Sequence, residues 1–256
     1  MQQAYRVLRV VAESQTIRIV LSPDPGELML SELRSVCATL TTESSAGIKA
    51  VVLDFRPDAS SQNTHEGTAS PQSIEETSAA LRAIPQPVLA VAQGTLSKVA
   101  CTLMRSTDFI LAANDAVLIV PTLRFSQGQV SETEDDTLTG AQAARLGYVT
   151  WSAPANDLRR EMERILDMLR GSSAIALRHT KASVRLAGNG PDTTPTINRG
   201  AINRGHVLDK SALYTASLEG LQEVNRFYLE VVMQTADAHE GLQAFLEKRK
   251  PNWKNI

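Results

Sequence analysis

Long apolar runs and an excess of charge of either sign are missing from this chain of 256 residues, and cysteine is scarce. Its two cysteines, Cys37 and Cys101, lie in apolar stretches with no CxxC spacing and no His nearby in sequence. They read as buried thiols rather than redox or nucleophilic groups. No apolar run approaches the ~20 residues of a membrane span, and the N-terminus lacks the basic and apolar regions of a signal peptide. With 26 basic against 28 acidic residues, the balance points to neither a nucleic-acid partner nor a membrane surface. No metal-ligand cluster, phosphate-binding glycine loop or Ser-His-Asp arrangement is visible, so no metal is expected. A cytoplasmic protein is the default.

What is present is an alternation of strands and helices. The length suits one α/β core, here residues 1–190, followed by a smaller helical region, 191–256. Tyr5 to Ala12 and Thr16 to Leu21 read as two strands joined at Glu13-Ser14-Gln15. Ser31 is the candidate N-cap of an amphipathic helix carrying Leu33, Val36, Cys37 and Leu40. Ile48 to Phe55 is a buried strand, and Arg56 to Gln72, polar and broken by Pro57, Gly67 and Pro71, is a loop. Later, helices are predicted over Asp157 to Leu169 and Leu213 to Met233. His179 falls on a helix with no acid or second His at ligand spacing and reads as a surface residue. The repeated strand–helix order implies a parallel sheet with right-handed crossovers.

The chain is organised around Ile84 to Ala112. Val88 to Ala92 is a short apolar run ended by Gly94, a strand buried on both faces, and a helix starts near Lys98 and stops before Asp108. Such a strand-to-helix turn leaves the first N–H groups of the helix without internal partners at the positive end of its dipole. It is a place to hold a developing oxyanion.

The pattern Pro87, Val88, Ala90, Val91, Gly94, Asp108 and Ala112 resembles the core of the crotonase superfamily, the enoyl-CoA hydratases and isomerases. Ser173 to Lys181 and the closing segment Ala236 to Trp253 are similar to later motifs of that family. The resemblance implies a ββα spiral core with a C-terminal helical oligomerisation region, and a homotrimer or dimer of trimers. It implies acyl-CoA as substrate or ligand, with no separate cofactor. Where the family carries an Asn-Gly turn, an aliphatic pair and three glycines, this chain has Gln93, Gly94, Lys98, Val99 and Ala100. By resemblance the oxyanion hole takes one N–H from Val99 and the other from Glu66, in His65-Glu66-Gly67-Thr68; the plain reading of that segment is a solvated loop. The family's helix Glu falls on Thr102, and a hydroxyl with no base beside it cannot exchange a proton with water as a carboxylate does. The second Glu should follow Pro121-Thr122-Leu123-Arg124, but an element is missing there. In its place Glu132, Glu134, Asp135 and Asp136 read as a solvated loop rather than a replacement acid. Phe245 and Lys248 are the family's CoA-binding pair, unless they serve only to dock the last helix. Three functions remain open: a thioester-binding protein without the hydratase apparatus; an active isomerase, decarboxylase or hydrolase using another acid; and a non-catalytic assembly partner.

Overall fold

A computed structural model describes residues 5–42, 47–57, 68–126, 129–188 and 210–255, of which 121–126, 129–134, 187–188 and 210–219 are described in backbone only. Six strands form one sheet in the order β1-β2-β3-β4-β5-β8. They are β1 (Arg9–Glu13), β2 (Thr16–Leu21), β3 (Ala50–Phe55), β4 (Val88–Ala92), β5 (Phe109–Ala113) and β8 (Trp151–Ala153). The β1–β2 hairpin is antiparallel, turning through Ser14 and Gln15 at positive φ. Every other pairing in that sheet is parallel. β3 and β4 are buried along their whole length, the continuous apolar pattern of a strand covered on both faces.

Helices fill the crossovers. α1 (Glu27–Leu40) and α2 (Pro71–Ala83) pack together, and α3 (Lys98–Arg105) follows β4. α4 (Gly140–Arg145) precedes β8, then come α5 (Leu158–Arg170) and α6 (Ala174–Gly188). α7 (Lys210–Glu230) lies along α6, and α8 (Ala236–Leu246) leads to the C-terminal tail. The predicted division near residue 190 falls outside the described residues.

Three local expectations need correction. α1 starts a turn before Ser31, at Glu27 with Gly26 as N-cap, because Met29 and Leu30 extend its buried stripe back and leave Ser31 exposed on the second turn. The N-terminal strand begins at Arg9 rather than Tyr5. The backbone N–H groups of Arg6, Val7 and Leu8 are taken by the Glu32 carboxylate at 2.8–3.1 Å instead of by a strand. Most consequentially, the acidic segment is no loop. Residues Gln129–Thr139 form β7, which pairs antiparallel with β6 (Val117–Ser126) in a separate two-stranded sheet. A cross-strand ladder satisfies the backbone there, and the register opposes carboxylate positions to neutral ones, Asp135 to Pro121 and Asp136 to Val120.

Two motif residues of the core have a structural duty. The Asp108 Oδ2 atom accepts from Val88 N at 2.7 Å and pairs with Lys181 Nζ at 2.6 Å. Lys181, buried, also donates to the Gln86 carbonyl at 2.9 Å. This ties the start of β4, the start of β5 and α6 to one another. Burial holds the Lys181 ammonium below its ordinary pKa even though Asp108 pulls the other way.

Candidate active site at the head of α3

The carboxyl ends of β2, β3 and β4 converge, as they do around ligand crevices in open parallel sheets. Past β3, Arg56 donates its backbone N–H to Leu21 O at 3.0 Å, and Pro57 closes on the turn after β4. Gly94 sits there at φ +70°, where a Cβ would lie 2.9 Å from Pro57 Cγ, so both its conformation and its surroundings require glycine. Val117, which opens β6, holds the turn from the other side: its N–H bonds Gly94 O at 2.8 Å and its carbonyl accepts from Leu96 N at 3.0 Å. Ser97 N donates to Pro23 O at 2.9 Å, bringing in the loop after β2.

From this anchored turn α3 begins. Ser97 caps it, its hydroxyl accepting from Ala100 N at 3.3 Å and its carbonyl from Cys101 N at 3.0 Å. The N–H groups of Lys98 and Val99 have no partner among the described residues. At the first turn of a helix such N–H groups lie at the positive end of its dipole, where an anion can be held. The Val99 side chain is half-buried against the core. Glu66, the expected second donor, lies outside the described residues.

Thr102 sits one turn on. Its hydroxyl donates to Lys98 O at 2.9 Å, within its own helix. A hydroxyl occupied in this way neither accepts a proton from water nor delivers one. Cys101 is buried beside it, its thiol pushed up in pKa by burial and its Sγ accepting from Ile119 N at 3.3 Å. Cys37 is buried likewise, its thiol pushed up to about 12.

The structure adds a contact that local sequence reading missed. Asp135 Oδ2 lies 2.8 Å from Lys98 Nζ, so β7 delivers a carboxylate to the head of α3. The available signal was the β-branched run from Val117 followed by Gln127-Gly128, a hairpin cue, but the dense charge after it obscured the second strand.

The closing motif Ala236 to Trp253 separates into two sets of residues. Asp237, buried, accepts from Ser173 Oγ at 2.5 Å, Lys254 N at 2.7 Å and Asn255 N at 3.0 Å. Glu240 accepts from Arg249 Nη1 at 2.6 Å and Asn252 N at 2.7 Å, and these bonds hold its carboxyl down from the ordinary 4.5 to about 2. Trp253 lies over Gly241 and donates Nε1–H to Gly171 O at 2.9 Å. These residues fasten the tail. Phe245 takes no part in that: it is 81% exposed and lines a groove of about 330 Å³ with Leu242, His179 and Trp253. Lys248 is exposed at φ +55°, just past the end of α8. His179 itself is half-buried rather than a free surface residue, its ring edge against Phe227 at 5.4 Å, and burial lowers its pKa.

A second groove, of about 400 Å³, runs between α6 and α7, and neither of these two grooves reaches the head of α3. Among the described residues no group of three or more His, Cys, Asp or Glu could hold a metal ion. Among them, too, no helix is long and apolar enough to cross a membrane.

Comparison with solved structures decides the architecture. An enoyl-CoA hydratase/isomerase from Mycobacterium paratuberculosis superposes with a TM-score of 0.67 at 19% identity, covering 99% of this chain and 100% of that one. A Streptomyces coelicolor structure named for enoyl-CoA hydratase reaches a TM-score of 0.71 at 18% identity, covering 100% and 97%. The chain has the crotonase fold. Among proteins known by sequence, a Bacillus subtilis protein bearing the name enoyl-CoA hydratase/isomerase YngF is 27% identical over 201 residues, 72% of this chain and 67% of that protein. No family model matches the sequence. The sequence relative and these fold neighbours all carry an enoyl-CoA hydratase name.

Proposed function

We propose that this crotonase-fold protein binds an acyl-CoA or related thioester at the head of α3 without the ordinary hydratase apparatus. The observation that carries the reading is the pairing of two features one turn apart. Val99 offers a free N–H for a thioester oxygen, while Thr102, at the position the resemblance gives to a catalytic Glu, is bonded to its own helix. Electrostatic support for an enolate-like oxygen therefore persists, and the group that would move a proton to or from water does not. Asp135, the carboxylate that β7 brings to this place, is engaged by Lys98.

Phe245 and Lys248 are the CoA-contacting pair in this reading. The docking of the last helix is done by Asp237, Glu240 and Trp253, which leaves Phe245 and Lys248 exposed and unused by the fold. We further infer a homotrimer or a dimer of trimers: Leu221, Leu229, Leu242 and Phe245 are 50%, 63%, 51% and 81% exposed, an apolar face suited to a second copy.

Calorimetry with acetyl-, crotonyl- and long-chain acyl-CoA tests the reading, together with a hydration assay on crotonyl-CoA. Binding is expected, with hydration slower by several powers of ten than an ordinary hydratase, the usual cost of losing groups that act as a unit. Absence of binding to any of these thioesters would leave the assembly role; turnover of tens per second would mean that another acid has taken over.

A further inference from the structure

α8 ends in a turn that the main chain itself closes. Lys248 N donates to Phe245 O at 3.2 Å and Arg249 N to Ala244 O at 3.0 Å, the paired bonds of a Schellman motif with Glu247 as C-cap. Lys248 takes the left-handed position of that motif, at φ +55°, which glycine fills without steric cost and lysine does not. The fold draws no benefit from the lysine, whose ammonium has no partner among the described residues. A strained backbone kept at a side chain the fold does not use points to a task for that side chain.

The turn is also clamped by side chains. Arg249 spans two carboxylates of the helix end: its Nη1 and Nη2 meet Glu240 Oε1 and Oε2 at 2.6 and 3.1 Å, and its Nε meets Glu247 Oε2 at 2.6 Å. Glu240 Oε1 accepts from Asn252 N at 2.7 Å as well, so the chain on both sides of Lys250 and Pro251 is drawn back to one carboxylate. The Glu240 side chain is 16% exposed, and a bidentate fork of this kind fixes geometry in a way that a single open contact does not. We propose that Glu240 and Arg249 are positioning residues for Lys248: their clamp holds the turn left-handed and so fixes the direction in which the ammonium meets the anionic part of a CoA thioester. The proposal rests on the thioester-binding reading above, in which Phe245 and Lys248 contact CoA. The bond from Lys248 N to Phe245 O sets the backbone positions of that pair relative to each other. Released from the clamp, a residue other than glycine returns toward negative φ, and its side chain leaves the backbone in another direction.

The test is calorimetry with acetyl-CoA and crotonyl-CoA on the wild type, Glu240→Gln, Lys248→Ala and the double variant. Glu240→Gln is expected to weaken binding about fivefold, part of what one hydrogen bond to a charged group contributes. The sign of the change discriminates, because removing a negative charge beside an anionic ligand would by its field alone tighten binding. In the Lys248→Ala background the same substitution should no longer weaken it. Arg249→Lys, which keeps the charge and loses the fork, should weaken binding in the wild-type background as Glu240→Gln does. Binding that Glu240→Gln leaves unchanged or tightens overturns the proposal. A weakening that persists in full in the Lys248→Ala background overturns it too, since Glu240 would then act through the tail and not through Lys248. If Lys248→Ala binds as tightly as the wild type, there is no contact to position, and this proposal falls while thioester binding stands. If the wild type binds neither thioester, the thioester reading itself has failed and takes this proposal with it. Circular dichroism of each variant checks folding.

Discussion

Replacing Lys181 by Met removes a charge from a well-buried ion pair and leaves the aliphatic stem nearly in place. Lys181 is 8% exposed and satisfies both Asp108 Oδ2 at 2.6 Å and Gln86 O at 2.9 Å. The Met side chain can fill the volume but removes the Lys181 donor from the Gln86 carbonyl and leaves the Asp108 carboxylate with Val88 N and the charge of Arg185. Breaking a fully buried pair from one side costs roughly 3–5 kcal/mol. The Asp108 side chain is 29% exposed, so water recovers part of the loss, and about 2–3 kcal/mol is the expected cost. For a chain of this size that corresponds to a fall in Tm of roughly 5–10 °C, read by circular dichroism at fixed protein concentration. Asp108→Asn alone should also destabilise, and the double variant should cost less than the two singles together by about 1–2 kcal/mol, since each single change strands the other partner. A Tm within a degree of wild type for Lys181→Met, or strict additivity in the cycle, would refute the argument that this pair ties β4, β5 and α6 together.

Three further outcomes are expected. Lys248→Glu should weaken acyl-CoA binding by about 1–2 kcal/mol or more without altering oligomer size, whereas Lys248→Gly, relieving the positive φ of that residue, should raise stability by roughly 0.5–1 kcal/mol while weakening the same binding; unchanged affinity in both leaves the closing motif to packing alone. Glu240 has its carboxyl pKa depressed from 4.5 to about 2 in the folded protein, so its contribution to holding the tail is complete above pH 4.5 and is lost as pH falls from there toward 2; Trp253 fluorescence should report release of the tail in that window, and Glu240→Gln should remove the acid-dependent part of the signal. Light scattering at micromolar concentration should give at least a trimer mass, and a monomer would contradict the use of the exposed apolar face of α7 and α8 as a subunit contact.

Much of the fold was legible because its determinants are local. The run Val88 to Ala92, the stop at Gly94 and the helix from Lys98 are written in consecutive residues, and the structure has β4 over Val88–Ala92 and α3 over Lys98–Arg105. Burial on both faces demands a continuous apolar run, and a turn at positive φ demands glycine, so these features can be read one residue at a time. The Val99 N–H follows from the same logic, since it belongs to the backbone at a helix start whatever the side chain. The start of α1 was misread for a related reason: Ser31 is a good capping residue, but the buried stripe through Met29 and Leu30 outweighs a single cap.

Tertiary structure alone decided the rest, because the deciding contacts join residues far apart in the chain. Nothing near Asp135 in sequence indicates that it faces Lys98, 37 residues away, and the hairpin cue before it does not set the register that places it there. Asp108 and Lys181 are both recognisable as motif positions, yet their meeting at 2.6 Å depends on α6 packing under the start of β5. The division of the closing motif into Asp237 and Glu240, which bind the tail, and Phe245 and Lys248, which the fold does not use, is likewise invisible until the tail is folded back. Periodicity records which face of an element is buried, whereas the identity of a polar side chain's partner is set only when the elements are assembled.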